Sequence, residues 1–273
     1  METLKDGPSG LMDALIGHTG FVGGTLSQAH AFEACFNSRN IDAARGGRFG
    51  LLVCAGVRAE KWIANRDEAA DLRNIRALLD VLTGVHAERA VLISTTDVYA
   101  DTRGRTENDA VDLEGNHPYG RDRAIMEKEF QRIFPGAFVV RLPGLFGAGL
   151  KKNVVHDLIK DHEVYKINTA GRHQYYDVGR LWDDLSRMME RDIHVLNICS
   201  PPIQVEDLCR EVFGVRYHHP APNAADYDMR TVHDAEWGRS DGYLYGLDEV
   251  LAAMKRFVDG HPDRRPLQLP ATS

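Results

Sequence analysis

The stretch Met12-Asp-Ala-Leu-Ile16 runs straight into Gly17-His-Thr-Gly20-Phe-Val-Gly23, and Thr25-Leu-Ser-Gln-Ala-His-Ala31 follows. In order these read as a short apolar strand, a turn with a glycine at every third position, and an amphipathic helix. The three glycines allow, respectively, a tight turn, a close backbone approach to a ligand, and close packing of helix on strand. The helix that starts there presents N–H groups without intrahelical partners, which suit a phosphate anion. Gly17, Thr19, Gly20, Phe21, Val22 and Gly23 are therefore candidate contacts of a dinucleotide pyrophosphate. Glycine spacing alone is a weak signal, and its place between a strand and a helix carries the reading.

Outward from this turn the chain alternates strand and helix. Apolar runs predict strands at 12–16, 32–36, 50–54, 90–94, 137–141 and 194–198. Helical patterns fall near 22–31, 64–84 and 118–134, with later ones at 204–213 and 246–258. Strands separated by helices of this length imply right-handed crossovers and a parallel sheet covered on both faces. The fold class is α/β, a Rossmann-type doubly wound parallel sheet with a small C-terminal lobe. The sheet domain is expected over 12–200, with part of 148–175 facing the substrate, and the lobe over 201–273, where the texture turns to short His-, Pro- and Asp-rich pieces.

Composition sets the class. Of 273 residues 43% are hydrophobic and 27% charged, which is globular usage. A formal net charge of −7 argues against a nucleic-acid or acidic-membrane partner. Cys35, Cys54, Cys199 and Cys209 form no C-x-x-C pair and read as reduced thiols. With no leader or spanning run visible, a cytoplasmic location is expected. The adjacent His218 and His219 point different ways and lack an acid or cysteine at ligand spacing, so no metal is expected.

Further motifs occur in one order along the chain. They are Val53-Cys-Ala-Gly56, Leu92-Ile-Ser-Thr95-Thr-Asp97-Val-Tyr99, Pro118-Tyr119-Gly120 and Val140-Arg-Leu-Pro143-Gly-Leu-Phe-Gly147. Tyr175-Tyr-Asp177-Val, Trp182-Asp-Asp184 and Asn197 follow. With the glycine turn, this series resembles an extended short-chain dehydrogenase/reductase of the NAD-dependent epimerase/dehydratase family. The resemblance is good over about 12–200 and loose beyond. It implies an enzyme acting on a nucleotide-linked sugar. It also implies that Cys54, Ala55, Gly56, Ser94, Leu142 and Pro143 line the cofactor, and that Thr95 bonds the substrate oxygen beside a catalytic Tyr119.

Elementary chemistry agrees. Hydride exchange at a sugar carbon needs a group that moves a proton at the oxygen. A tyrosine reaches, but its ordinary pKa of about 10 makes it a poor base at neutral pH. Arg123 lies one helical turn after Tyr119, where its charge would favour phenolate and its fork could hold ribose hydroxyls. The resembling family has lysine here. Arginine cannot relay a proton, so the exchange is not conservative. It leaves open an alternative, a dinucleotide-binding regulatory or scaffold protein with a degenerate site. Family dehydratases carry an Asp-Glu pair where this chain has Thr96-Asp97. A single carboxylate favours ketone reduction or epimerisation over dehydration. Asp97 is the second candidate acid–base residue, and Lys61 a further proton donor on the substrate side.

Cofactor type is argued from the end of the second strand. An acid there would bind the ribose diol of NAD. Phe36-Asn37-Ser38-Arg39-Asn40 offers an amide, a hydroxyl and a guanidinium instead, which favours NADP, with NAD as the other possibility. Lys152 and Asn153 follow a glycine-rich turn, and the resemblance implies that they, with Arg172 and Gln174, are candidate contacts of the substrate diphosphate. Leu72, Ile75, Leu78, Leu79, Leu82, Ile125, Met126, Phe130 and Ile133 place apolar residues on more than one face of the helices at 64–84 and 118–134, and the resemblance implies that these helices pair with their copies across a two-fold axis, so a homodimer is expected.

Overall fold

The computed structural model describes residues 10–111 and 113–269. The chain begins β1 (Asp13–Ile16), α1 (Phe21–Ala29), β2 (Ala34–Phe36), β3 (Arg48–Cys54). It continues α2 (Lys61–Arg66), α3 (Glu68–Leu82), β4 (His86–Thr95), α4 (Pro118–Ile133), β5 (Phe138–Leu142). Next come β6 (Gly144–Phe146), α5 (Val154–Lys160), β7 (Arg172–His173), β8 (Tyr175–Asp177), α6 (Leu181–Glu190) and β9 (Val195–Asn197). The described chain ends with β10 (Ile203–Gln204), α7 (Val205–Leu208) and α8 (Leu247–Asp259).

Six strands form one parallel sheet in the order β2-β1-β3-β4-β5-β9. The order steps outward from β1 in both directions, as a doubly wound sheet requires. β1 lies between its parallel neighbours, with Ile16 opposite both Phe36 and Cys54. Leu51, Leu52, Val53 and Cys54 are buried in succession along β3. Such a run suits a strand covered by helices on both faces. The core joins Ile16, Leu52, Leu92 and Val139 of the sheet to Ile75 and Leu82 of α3 and to Met126 and Phe130 of α4. Among the described residues, no helix is long and apolar enough to cross a membrane.

Two helix boundaries differ from the expectation. The pattern at 64–84 is two helices. Asp67 leaves helical geometry (φ −132°, ψ 70°) and its carboxylate accepts the Ala70 N–H at 3.0 Å. A short acidic side chain that captures an N–H ends one helix and caps the next. The run 204–213 is a short α-helix that widens into a π-turn over Cys209–Phe213, stopped by Gly214 at φ 70°.

The chain divides into two compact units. The first comprises residues up to Ala100, Val111–Arg141 and Leu181–Leu196; the second comprises Asp101–Ala110, Leu142–Arg180 and the chain from Asn197. The expected lobe of 201–273 is thus the last of three segments that form the second unit. The reason is pairing that leaves no pattern in the sequence. β6 pairs with β8, and β7 with β10, in separate two-stranded sheets. The segment 101–110 is stitched to the late chain by the Gly104 N–H on the Asp228 carbonyl (2.7 Å) and the Arg230 N–H on the Arg105 carbonyl (2.8 Å). The Glu107 carboxylate adds the Asn197 N–H (2.6 Å) and the Thr231 hydroxyl (2.7 Å).

Candidate active site

The glycine turn has the backbone that close approach to a ligand demands. Gly17 sits at φ 90°, and a Cβ there would lie 2.4 Å from the Ala55 carbonyl oxygen. A Cβ on Gly23 would lie 2.1 Å from the Gly17 carbonyl oxygen. Only glycine fits either place. Gly20 occupies the N-cap of α1, where no side chain caps the helix. Thr19 and Gly20 are exposed, and Phe21 and Val22 are half-buried in the first turn. An uncapped helix start behind an open glycine turn fits a dinucleotide pyrophosphate. Ala55 and Gly56 follow β3 beside this turn, with the Ala55 N–H on the Ile16 carbonyl at 2.9 Å. Cys54 is fully buried, and burial pushes its thiol up to about 11. Its side chain is core.

After β2, the Asn37 amide carbonyl accepts the Arg39 N–H at 2.9 Å, and Asn40 accepts the Asn37 N–H at 2.7 Å. These bonds hold a small loop whose Ser38 and Arg39 are exposed. His18 is fixed too. Its Nδ1 donates to the Phe36 carbonyl at 3.0 Å, which turns Nε2 toward the Asn37 amide at 3.4 Å.

Thr95 ends β4, and Tyr119 lies in the first turn of α4. Pro118 at the helix start has the right fixed φ, and His117 caps the helix by accepting the Gly120 N–H on Nδ1 at 3.0 Å. A Cβ on Gly120 would lie 2.1 Å from the Asp97 carbonyl oxygen, so the helix start presses directly on the turn after β4. That closeness lets the Tyr119 hydroxyl hydrogen-bond to the Thr95 side chain. Asn65 accepts the Tyr119 N–H at 2.9 Å. The Asp97 Oδ1 takes the Lys61 Nζ at 2.8 Å and lies 4.0 Å from the His117 Nε2. The structure thus brings together Thr95, Asp97, Lys61 and Tyr119.

Arg123 is placed differently from the expectation. It is 4% exposed and paired with Asp71 of α3 through both terminal nitrogens. The same nitrogens bond the Arg58 and Tyr119 carbonyls. Its Nε has no hydrogen-bond partner among the described residues. The fork expected for ribose hydroxyls is therefore engaged within the protein. The guanidinium stacks on the Tyr119 ring, 4.0 Å from its centre. Its charge lowers the phenol's pKa, but burial is the larger effect and pushes Tyr119 up to about 12. The phenol, not the phenolate, is the resting form.

Ser94 turns inward and donates to Glu127 of α4. Glu127 is paired with Arg141 of β5, the Arg141 Nη2 lying 2.7 Å from its Oε2. The Arg141 Nη1 also donates to the Tyr99 hydroxyl at 2.5 Å. This buried network, with Asp71 and His117, escaped the reading of the sequence. One signal for it was present: an arginine inside Phe138-Val-Val-Arg-Leu142, a strand buried along its whole length, requires a carboxylate. Leu142 ends that strand, buried, and Pro143 follows it half-buried.

The other candidates lie in the second unit. Gln174 is 2% exposed and spends its amide on the Ser200 and Met229 backbones. Asn153 caps α5 and donates to the Leu145 carbonyl at 2.7 Å. Arg172 pairs with Asp226 at 2.9 Å. Lys152 is exposed. Three of the four, Gln174, Asn153 and Arg172, thus make bonds within their own unit.

No protein-family model and no curated protein sequence matches this chain. Solved structures do match its fold. A dTDP-4-dehydrorhamnose reductase from Yersinia enterocolitica is 13% identical over 90% of this chain and 98% of its own, with a TM-score of 0.68. An NAD-dependent NDP-hexosamine 5,6-dehydratase of tunicamycin biosynthesis is 18% identical over 92% and 99%, with a TM-score of 0.68. A UDP-glucose 4-epimerase from Thermotoga maritima, solved with UDP-glucose, is 16% identical over 91% and 98%, with a TM-score of 0.64. The glycine turn, the sheet order and these likenesses agree: the chain has the fold of the extended short-chain dehydrogenase/reductases of epimerase/dehydratase type.

Proposed function

We propose that the protein is a nicotinamide-dependent oxidoreductase or epimerase of a nucleotide-linked sugar, with ketone reduction or epimerisation favoured over dehydration. The observation that carries this reading is the buried Tyr119 hydroxyl on Thr95, at the carboxyl end of a sheet strand. Ligands of open α/β sheets gather at that end. A phenol held near 12 is protonated at neutral pH, so Tyr119 is an acid ready to protonate a carbonyl oxygen. Thr95 orients it. Asp97 has Thr96, not a second acid, beside it, which supports placing dehydration below reduction and epimerisation. The bound nicotinamide dinucleotide supplies hydride exchange at carbon. The Gly17–Gly23 turn would hold its pyrophosphate. The names of the matching structures, a UDP-glucose epimerase among them, support a nucleotide-sugar substrate.

The test is turnover of a panel of 4-keto nucleotide sugars with NADPH, followed by nicotinamide absorbance and product analysis. A substrate-dependent loss of absorbance, or an epimerised product, is expected. Cofactor binding without turnover of any member would favour the second reading, a dinucleotide-binding regulator. The observation behind that reading is Arg123, locked onto Asp71 where the resembling family has a lysine.

Exposed Ser38 and Arg39, with no acid on their loop, suit a 2′-phosphate. Arg39→Ala should weaken NADPH binding at least about tenfold, the loss of one charge-assisted contact, and leave NADH binding nearly unchanged. Equal losses in titration calorimetry would refute NADP selectivity. A two-fold pairing of α3 and α4 with their copies would cover the half-buried Leu72 and Ile125. Light scattering at micromolar concentration should then give a dimer mass, and a monomer mass would contradict the pairing.

A further inference from the structure

We propose that His117 is a positioning residue for Tyr119: as the neutral imidazole it caps the helix that carries the phenol, and taking up a proton releases that helix start, switching the site off in acid. The inference rests on the reading of Tyr119 given above. The geometry begins with one hydrogen bond. A backbone N–H only donates, so the Gly120 N–H at 3.0 Å makes the His117 Nδ1 an acceptor. The neutral ring therefore carries its proton on Nε2, the nitrogen 4.0 Å from the Asp97 Oδ1. One ring thus faces both halves of the site, the helix bearing Tyr119 and the turn bearing Asp97.

A second proton has only Nδ1 to occupy. There it would confront the Gly120 N–H, donor against donor, and the cap would be lost. The positive end of the helix dipole opposes the new charge as well. The charged groups facing the ring divide in sign. Lys61 from α2 and Arg123 from α4 oppose protonation, while Asp97 from the turn after β4 favours it. Burial is the largest influence, and the pKa lies below the ordinary histidine value. A lowered folded value means that the cap's stabilisation is complete above the ordinary value. It is lost as pH falls through the folded value. Loss of the cap frees the turn in which Tyr119 meets Thr95, and Gly120 no longer seats on Asp97.

Asparagine separates capping from titration, because its side chain caps helices and carries no titrating proton in this range. In a verified turnover assay the native protein should lose kcat by about tenfold per pH unit below the His117 midpoint, the slope of one group. His117→Asn should keep native kcat at neutral pH and lose that acid limb. His117→Ala should be slower at all pH values. An unchanged acid limb in His117→Asn would overturn the proposal. Imidazole nitrogen and amide NMR on the cofactor-free protein provides a second measurement that needs no substrate. His117 should be the Nε2–H tautomer at neutral pH, and the Gly120 amide should shift with the same midpoint as the ring. A Gly120 amide that ignores that midpoint would overturn the cap even if no sugar nucleotide is turned over, whereas absence of turnover with a coupled Gly120 titration would count against the enzymatic reading alone.

Discussion

Tyr119→Phe should lower turnover by about 10²-fold or more, the usual scale for losing a positioned general acid, while cofactor affinity stays near the native value. The reason lies in what the substitution removes. The ring still fills its buried place against Arg123, with the guanidinium 4.0 Å from its centre. The helix start is still held by the backbone bond to Asn65 and by the His117 cap. Only the hydroxyl on Thr95 is gone. The loss should therefore fall on kcat more than on binding, as it does when a group acts chiefly in the transition state. Arg123→Lys is the companion test. It restores the lysine of the resembling family beneath the phenol, but a lysine cannot make the two-nitrogen pair with Asp71. Measurable activity with a shifted tyrosine limb in the pH profile is expected. Native turnover in Tyr119→Phe would move the proton-transfer role to Asp97 or Lys61.

The sheet was legible because its strands are apolar runs and its first crossover is marked by Gly17 and Gly23, which no other residue can replace. Gly17 shows why: its φ of 90° and its closeness to Ala55 are local demands, written at one position. The places of Thr95 at a strand end and Tyr119 at a helix start were legible through the motifs that flank them. What stayed hidden is pairing at a distance. The spacing of Tyr119 and Arg123 is right for contact, and they do stack. Nothing near Arg123 in the chain announces that Asp71, on another helix, would take its charge. Gln174 stands before Tyr175-Tyr-Asp177, a place that suggests a substrate contact, yet Ser200 and Met229 claim its amide. The helix break at Asp67 was hidden for the opposite reason. Apolar periodicity runs through it, and one side-chain bond to Ala70 decides against the period.

Arg141→Met should destabilise the protein by about 3–5 kcal/mol, the cost of leaving one partner of a buried ion pair behind. Glu127 is the partner at risk. It is 4% exposed and would keep only the Ser94 hydroxyl of the bonds described above. Removing both charges is a different experiment. Arg141→Met with Glu127→Leu replaces the pair by apolar groups of similar volume, which is often neutral or stabilising. The double variant should therefore recover most of the loss in a denaturant titration. Single losses that simply add would show that the two charges are not coupled. Activity should not recover in parallel. Arg141 also holds the Tyr99 hydroxyl, Tyr99 closes the turn that begins at Thr95, and Glu127 lies two helical turns along α4 from Tyr119. The ion pair thus ties the strand end to the helix that must meet it. A variant that folds stably yet turns over slowly would locate the pair's value in the Thr95–Tyr119 contact, because apolar side chains can fill its space without fixing the separation of those two hydroxyls.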